Sequence, residues 1–87
     1  MSKTIYQEFV SANIIGVTLD HNGLQGGDAG HGGYVTIGIR NMGSTSMEIN
    51  GKPTDEFCLT IRGDAERETF LAAFKMIVKE LENNPTI

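Results

Sequence analysis

Residues 34–40 read Tyr34-Val35-Thr36-Ile37-Gly38-Ile39-Arg40. Val35, Ile37 and Ile39 recur at every second position, so the segment predicts a central β-strand with these three on one face and Tyr34, Thr36, Gly38 and Arg40 on the other. Two further segments repeat the pattern. Upstream, Ile14 to Asp20 sets Ile15, Val17 and Leu19 against Gly16, Thr18 and Asp20; downstream, Phe57, Leu59 and Ile61 alternate with Cys58, Thr60 and Arg62. Ile5 to Val10 is less pure, with Ile5, Gln7 and Phe9 sharing one face, which suits an edge strand. The run Ser44 to Ile49 predicts a fifth strand, and short turn-rich connections favour antiparallel return.

After the last strand the period changes. Phe70, Phe74, Ile77, Val78 and Leu81 recur at helical spacing, with Leu71 widening the stripe, so residues 64–82 predict one amphipathic helix. Asp64, Glu66 and Glu68 suit its positive end, and Asp64 is expected to accept hydrogen bonds from the first free helix amides. Asn83-Asn84-Pro85 ends it. The expected fold is therefore α+β: a four- or five-stranded, mainly antiparallel sheet with one C-terminal helix packed across one face, in a single small domain over residues 1–87.

Turns punctuate the strands. Asp20-His21-Asn22-Gly23 and Asn50-Gly51-Lys52-Pro53 carry the residue types that tight reversals require. Between them lies an unusual segment, residues 23–33, in which six of eleven residues are glycine. Such a loop loses much backbone entropy on ordering and has few side chains to offset the loss, so it is expected to be mobile when the chain is alone.

Composition excludes several classes. With 39% hydrophobic and 21% charged residues the 87-residue chain is near globular averages, and no apolar run approaches membrane-spanning length. Eleven acids against seven bases give a net charge of −4, which disfavours unspecific attraction to nucleic acid or an anionic bilayer. One cysteine, Cys58, allows no internal disulfide, and the first residues contain no secretory apolar segment, so a cytoplasmic location is expected.

Candidate chemistry concentrates in a few places. Backbone amides around Gly26, Gly27, Gly30, His31, Gly32 and Gly33 can form an anion nest beside Tyr34 and Arg40, the expected place for an anionic small ligand such as a nucleotide. The order of residues matches neither a dinucleotide fingerprint nor a Walker sequence, because the glycines lead into a strand. Asp20, His21, Asp28 and His31 have metal-ligand chemistry, but a glycine-rich segment gives them no fixed geometry, and no metal or other cofactor is expected. Tyr34 with Arg40 and Arg62 makes a minimal platform for single-stranded nucleic acid, although these arginines can equally pair with Asp20, Glu48 or Glu56. No Gly-x-Ser-x-Gly elbow occurs, and a lone strand cysteine is weak evidence for catalysis.

A chain this short builds a thin core, and its second sheet face mixes Tyr34, Thr36 and Thr60 with charge. Self-association as a homodimer is expected, with Tyr34, Thr36, Met42, Met47 and Thr60 as interface residues. The functional expectation is a small non-catalytic regulatory or accessory protein that acts through a macromolecular partner, with ligand binding, single-strand binding and a small enzyme as alternatives.

Overall fold

The computed structural model describes residues 1–86. Four antiparallel strands form one sheet: β1 (Lys3–Val10), β2 (Ile14–His21), β3 (Tyr34–Gly43) and, after a short two-stranded hairpin of β4 (Glu48–Ile49) and β5 (Lys52–Pro53), β6 (Glu56–Arg62). Their order is β1-β2-β3-β6, with β1 and β6 as edges. Helix α1 (Asp64–Asn83) follows at once and packs against β6 and β3. No helix is long and apolar enough to cross a membrane among the described residues.

The register explains why the alternation is so regular. Ile5, Leu19, Ile37 and Leu59 stand in one cross-strand row, and Gln7, Val17, Ile39 and Phe57 in the next. Cross-strand neighbours at this spacing pack directly, so the rows form strips of apolar surface, the second broken by Gln7 at the β1 edge. A third row, Lys3, His21, Val35 and Ile61, lies at the end where the helix begins. The opposite face carries Tyr6, Thr18, Gly38 and Cys58 in one row and Tyr34 facing Arg62 in another.

Two local features differ from the sequence expectation. The run Ser44 to Ile49 contributes only Glu48–Ile49 to a strand, because β3 continues to Gly43 and the chain then folds around Asn41. The Asn41 carboxamide accepts from the amides of Gly43 (3.1 Å) and Thr45 (3.2 Å) and donates to the Thr45 carbonyl (2.8 Å). These bonds satisfy the backbone groups that a strand would have offered to a neighbour, so the ladder ends there. Asp64, in turn, does not cap its own helix. Gly63 occupies the cap position with no side-chain bond, and the Asp64 carboxylate reaches instead to the glycine-rich segment.

Burial is sparse. Ile61, 6% exposed, is the buried hydrophobic residue of the described chain, and no residue of α1 is buried. Along the helix, exposure of the apolar stripe rises from 37% at Phe70 through 47% at Ile77 to 69% at Leu81. The stripe is thus partly exposed along its whole length and most exposed at its C-terminal end. The 20-residue helix, about 30 Å long, packs against β6 and β3, and its final turns carry the most exposed part of the stripe.

Candidate functional site

The glycine-rich segment is built into the fold at three points. At its start, the Asn22 side chain donates to the Gly32 carbonyl (2.9 Å) and accepts from the Tyr34 amide (3.0 Å), closing the loop on itself. In its middle, the Asp64 carboxylate accepts from the amides of Gln25 (3.0 Å) and Gly26 (2.6 Å), while the Gly27 carbonyl accepts from the amides of Asp64 (3.1 Å) and Ala65 (3.2 Å). At its end, a single 3-10 turn, Ala29–His31, is capped by Asp28, which accepts from the Gly30 amide at 3.0 Å. The glycine-rich segment is thus hydrogen-bonded to the start of α1.

Gly63 sits at the centre of this junction. Its φ of 104° lies in the region that favours glycine, and a Cβ there would run into the Glu66 carboxylate and approach the backbone of Ala29 (2.8 Å) and Asp28 (3.0 Å). Strand end, loop and helix start can therefore meet only without a side chain at this position.

Electrostatically, the junction supplies its own anion. The two loop amides hold the Asp64 carboxyl below its ordinary pKa, with smaller help from Arg67 and His31. Of the amides expected to form the nest, that of Gly26 is thus held, together with that of Gln25, by a carboxylate of the same chain, while those of Gly30, His31 and Gly32 donate within the loop to Asp28 and Ala29, so an external anion must displace these bonds. Gly30, Gly32 and Gly33 lie in the same loop, and Gly33 is buried beside Asp64.

The potential metal ligands are not brought together. Asp20 lies on the polar face of the sheet, where its carboxylate accepts from Thr4 (3.2 Å) and from the Tyr34 hydroxyl (3.3 Å). His21 is the next residue of β2 and faces the opposite side, with its Nδ1 accepting from the Gly23 amide at 3.2 Å. Asp28 and His31 form an exposed pair, 3.2 Å apart. Among the described residues no three His, Cys, Asp or Glu side chains converge as a metal site.

On the polar face, Arg40 pairs loosely with Glu56 at 3.9 Å, and Thr36 and Thr60 share a hydrogen bond of 3.0 Å. Arg62 lies opposite Tyr34 across the β3–β6 pair, so the register places the predicted aromatic and one guanidinium side by side at one end of the sheet. Arg40 is at the other end of the same strand pair. Of the expected interface residues, Tyr34, Thr36 and Thr60 share this face, Met42 lies near its far end against Tyr6, and Met47 precedes the short hairpin.

Two features escaped the sequence reading. The Tyr6 ring crosses over Gly16, its hydroxyl 3.0 Å from the Glu8 carboxylate and 3.1 Å from the Met42 sulfur. A Cβ at Gly16 would lie 2.7 Å from that hydroxyl, so the glycine lets the ring lie flat on the sheet. Desolvation raises the Tyr6 pKa, and the Glu8 carboxylate adds to the rise. A glycine facing outward within a strand was the available signal of such an approach. On the other face, a cavity of about 250 Å³ separates the first half of α1 from the sheet, lined by Leu19, His21, Ile37, Arg67, Phe70 and Phe74, among others. Arg67 Nη1 is buried at its margin without a hydrogen-bond partner.

No family model matches the chain, and neither the curated proteins nor the solved structures give a significant match.

Proposed function

We propose that this chain is a small, non-catalytic regulatory or accessory protein that acts by macromolecular interaction, and that it does so as a homodimer. One observation carries the reading: the chain exposes 6594 Å². A folded monomer of its 9.4 kDa mass exposes roughly 5,000 Å² on the usual surface-to-mass scaling, so about 1,600 Å² is in excess. The radius of gyration, 14.9 Å, likewise exceeds the roughly 12 Å of a globular chain of this length. Large apolar side chains contribute to the exposed surface, among them Ile5, Phe9, Leu59, Ile77 and Leu81. Contiguous exposed apolar surface marks macromolecular contact.

The glycine-loop alternative is weakened by the Asp64 carboxylate in the amide nest, and single-strand binding by the acidic partners of Arg40 and Tyr34. The test is affinity capture under reducing conditions, with calorimetry against nucleotides and fluorescence titration of labelled single-stranded DNA and RNA at two salt concentrations. The proposal expects a protein captured at fixed stoichiometry and flat titrations. Saturable nucleotide or single-strand binding, or turnover of a small molecule without a protein partner, would overturn it.

A further inference from the structure

Each chain leaves two apolar surfaces without a partner. One is the ridge on the second half of α1, where Ile77, Val78 and Leu81 are 47–69% exposed. The other is the part of the sheet's apolar face beyond the helix, where Ile5, Phe9 and Leu59 are 36–49% exposed. The first is a convex ridge and the second a flat apolar floor, which is the pairing that helix-on-sheet layers use. Resting on the proposed self-association, we infer that the two surfaces cover each other between copies: the ridge of one chain docks on the open sheet face of its partner, and the partner's ridge returns the contact.

Symmetry favours a second copy as the occupant. A two-fold pairing uses a self-complementary surface, with residue i on j and j on i, so one operation covers both ridges and both floors. The area agrees. An excess of about 1,600 Å² per chain corresponds to about 3,200 Å² buried by two, within the roughly 2,000–5,000 Å² typical of obligate homodimers.

Other occupants fit less well. A drug-sized ligand fills one concave pocket and leaves a helix ridge of several turns bare. An anionic lipid surface would find Lys75 and Lys79 beside the ridge offset by Glu80 and Glu82, on a chain of net charge −4. Pairing through the β1 edge would satisfy backbone groups but leave Ile77, Val78 and Leu81 in water. The docked arrangement also leaves the polar face, with Tyr6, Arg40 and Cys58, open to a different macromolecule.

The experiment places the photoreactive residue p-benzoylphenylalanine at Lys79, which flanks the ridge and leaves it intact. Isotopically heavy and light chains are mixed, irradiated and mapped by mass spectrometry, beside sedimentation of the same sample. The inference expects heavy-to-light cross-links from position 79 to apolar-face residues of β1 and β2, such as Ile5, Phe9 and Val17. A two-chain mass with cross-links only within one chain, or only to polar-face residues such as Thr18, overturns the docking geometry and leaves self-association standing. A one-chain mass removes both. As a second measurement, Leu81→Glu should weaken association roughly 100-fold or more by placing an unpaired charge in the contact. Unchanged association of the folded variant would count against the geometry.

Discussion

Leu81→Ala separates a helix end that lies in water from one that a partner covers. In the single chain Leu81 is 69% exposed, so it withdraws about a third of its surface from solvent. Full burial of a leucine side chain stabilises by about 1.5–3 kcal/mol, and a third of that is about 0.5–1 kcal/mol. Truncation should then cost no more than this, independently of protein concentration. If a second copy covers the ridge, the same truncation removes a buried side chain and costs about 2–5 kcal/mol, twice per dimer. At the lower end, subtracting the part already present in the single chain leaves about 2–3 kcal/mol per dimer, and the dissociation constant rises about 30- to 160-fold. Urea unfolding followed by far-ultraviolet circular dichroism at two protein concentrations measures both terms, because a dimer's midpoint moves with concentration and an isolated chain's does not. A loss below about 1 kcal/mol with a midpoint indifferent to concentration would refute the argument.

Three other predictions concern the loop junction and the polar face. The Asp64 carboxyl has its pKa depressed in the fold, so its contribution is fully present above the ordinary carboxylate value near 3.9 and is lost as pH falls through the lower folded value. Asp64→Asn should therefore flatten the acid limb of a stability-against-pH curve and speed hydrogen exchange at the Gln25 and Gly26 amides; an unchanged limb and unchanged exchange would contradict the clamp. Gly63→Ala should destabilise by about 1–3 kcal/mol, from its positive φ and backbone contacts, and a neutral result in thermal unfolding would mean that strand end and helix start are joined differently. Replacing Arg40 and Arg62 with Gln should leave stability within about 0.5 kcal/mol, since both side chains are exposed and the Arg40 pair is loose; a larger loss in urea unfolding would show that they hold the sheet.

The parts of the fold that could be read from the chain are those written in a short period. Val35-Thr36-Ile37-Gly38-Ile39 and Phe57-Cys58-Leu59-Thr60-Ile61 each fix which residues share a face, because a pleated strand turns its side chains with period two. Phe70 to Leu81 fixes a helix in the same local way. What could not be read depends on distance along the chain or on size. The bonds from Asp64 to Gln25 and Gly26 join residues 39 and 38 positions apart, and nothing near Asp64 marks that it will leave its own helix. How much of the α1 stripe is covered depends on where the helix lies on β3 and β6, which no window of sequence contains. Asn41 misled in a different manner: a residue that looked like a turn between two strands uses its side chain to consume the amides that the second strand needed. Of the candidate site, the alternation predicted which residues share the polar face, while the internal carboxylate in the glycine loop was invisible because its donor and acceptor belong to different elements.

Sedimentation equilibrium of the reduced, full chain across a micromolar dilution series tests the central claim most directly. The excess surface predicts a mass of twice 9.4 kDa at the upper concentrations, falling toward one chain only on dilution or after Leu81→Glu. A mass of 9.4 kDa at every concentration would contradict it, because the apolar ridge of α1 would then be stable in water with nothing covering it.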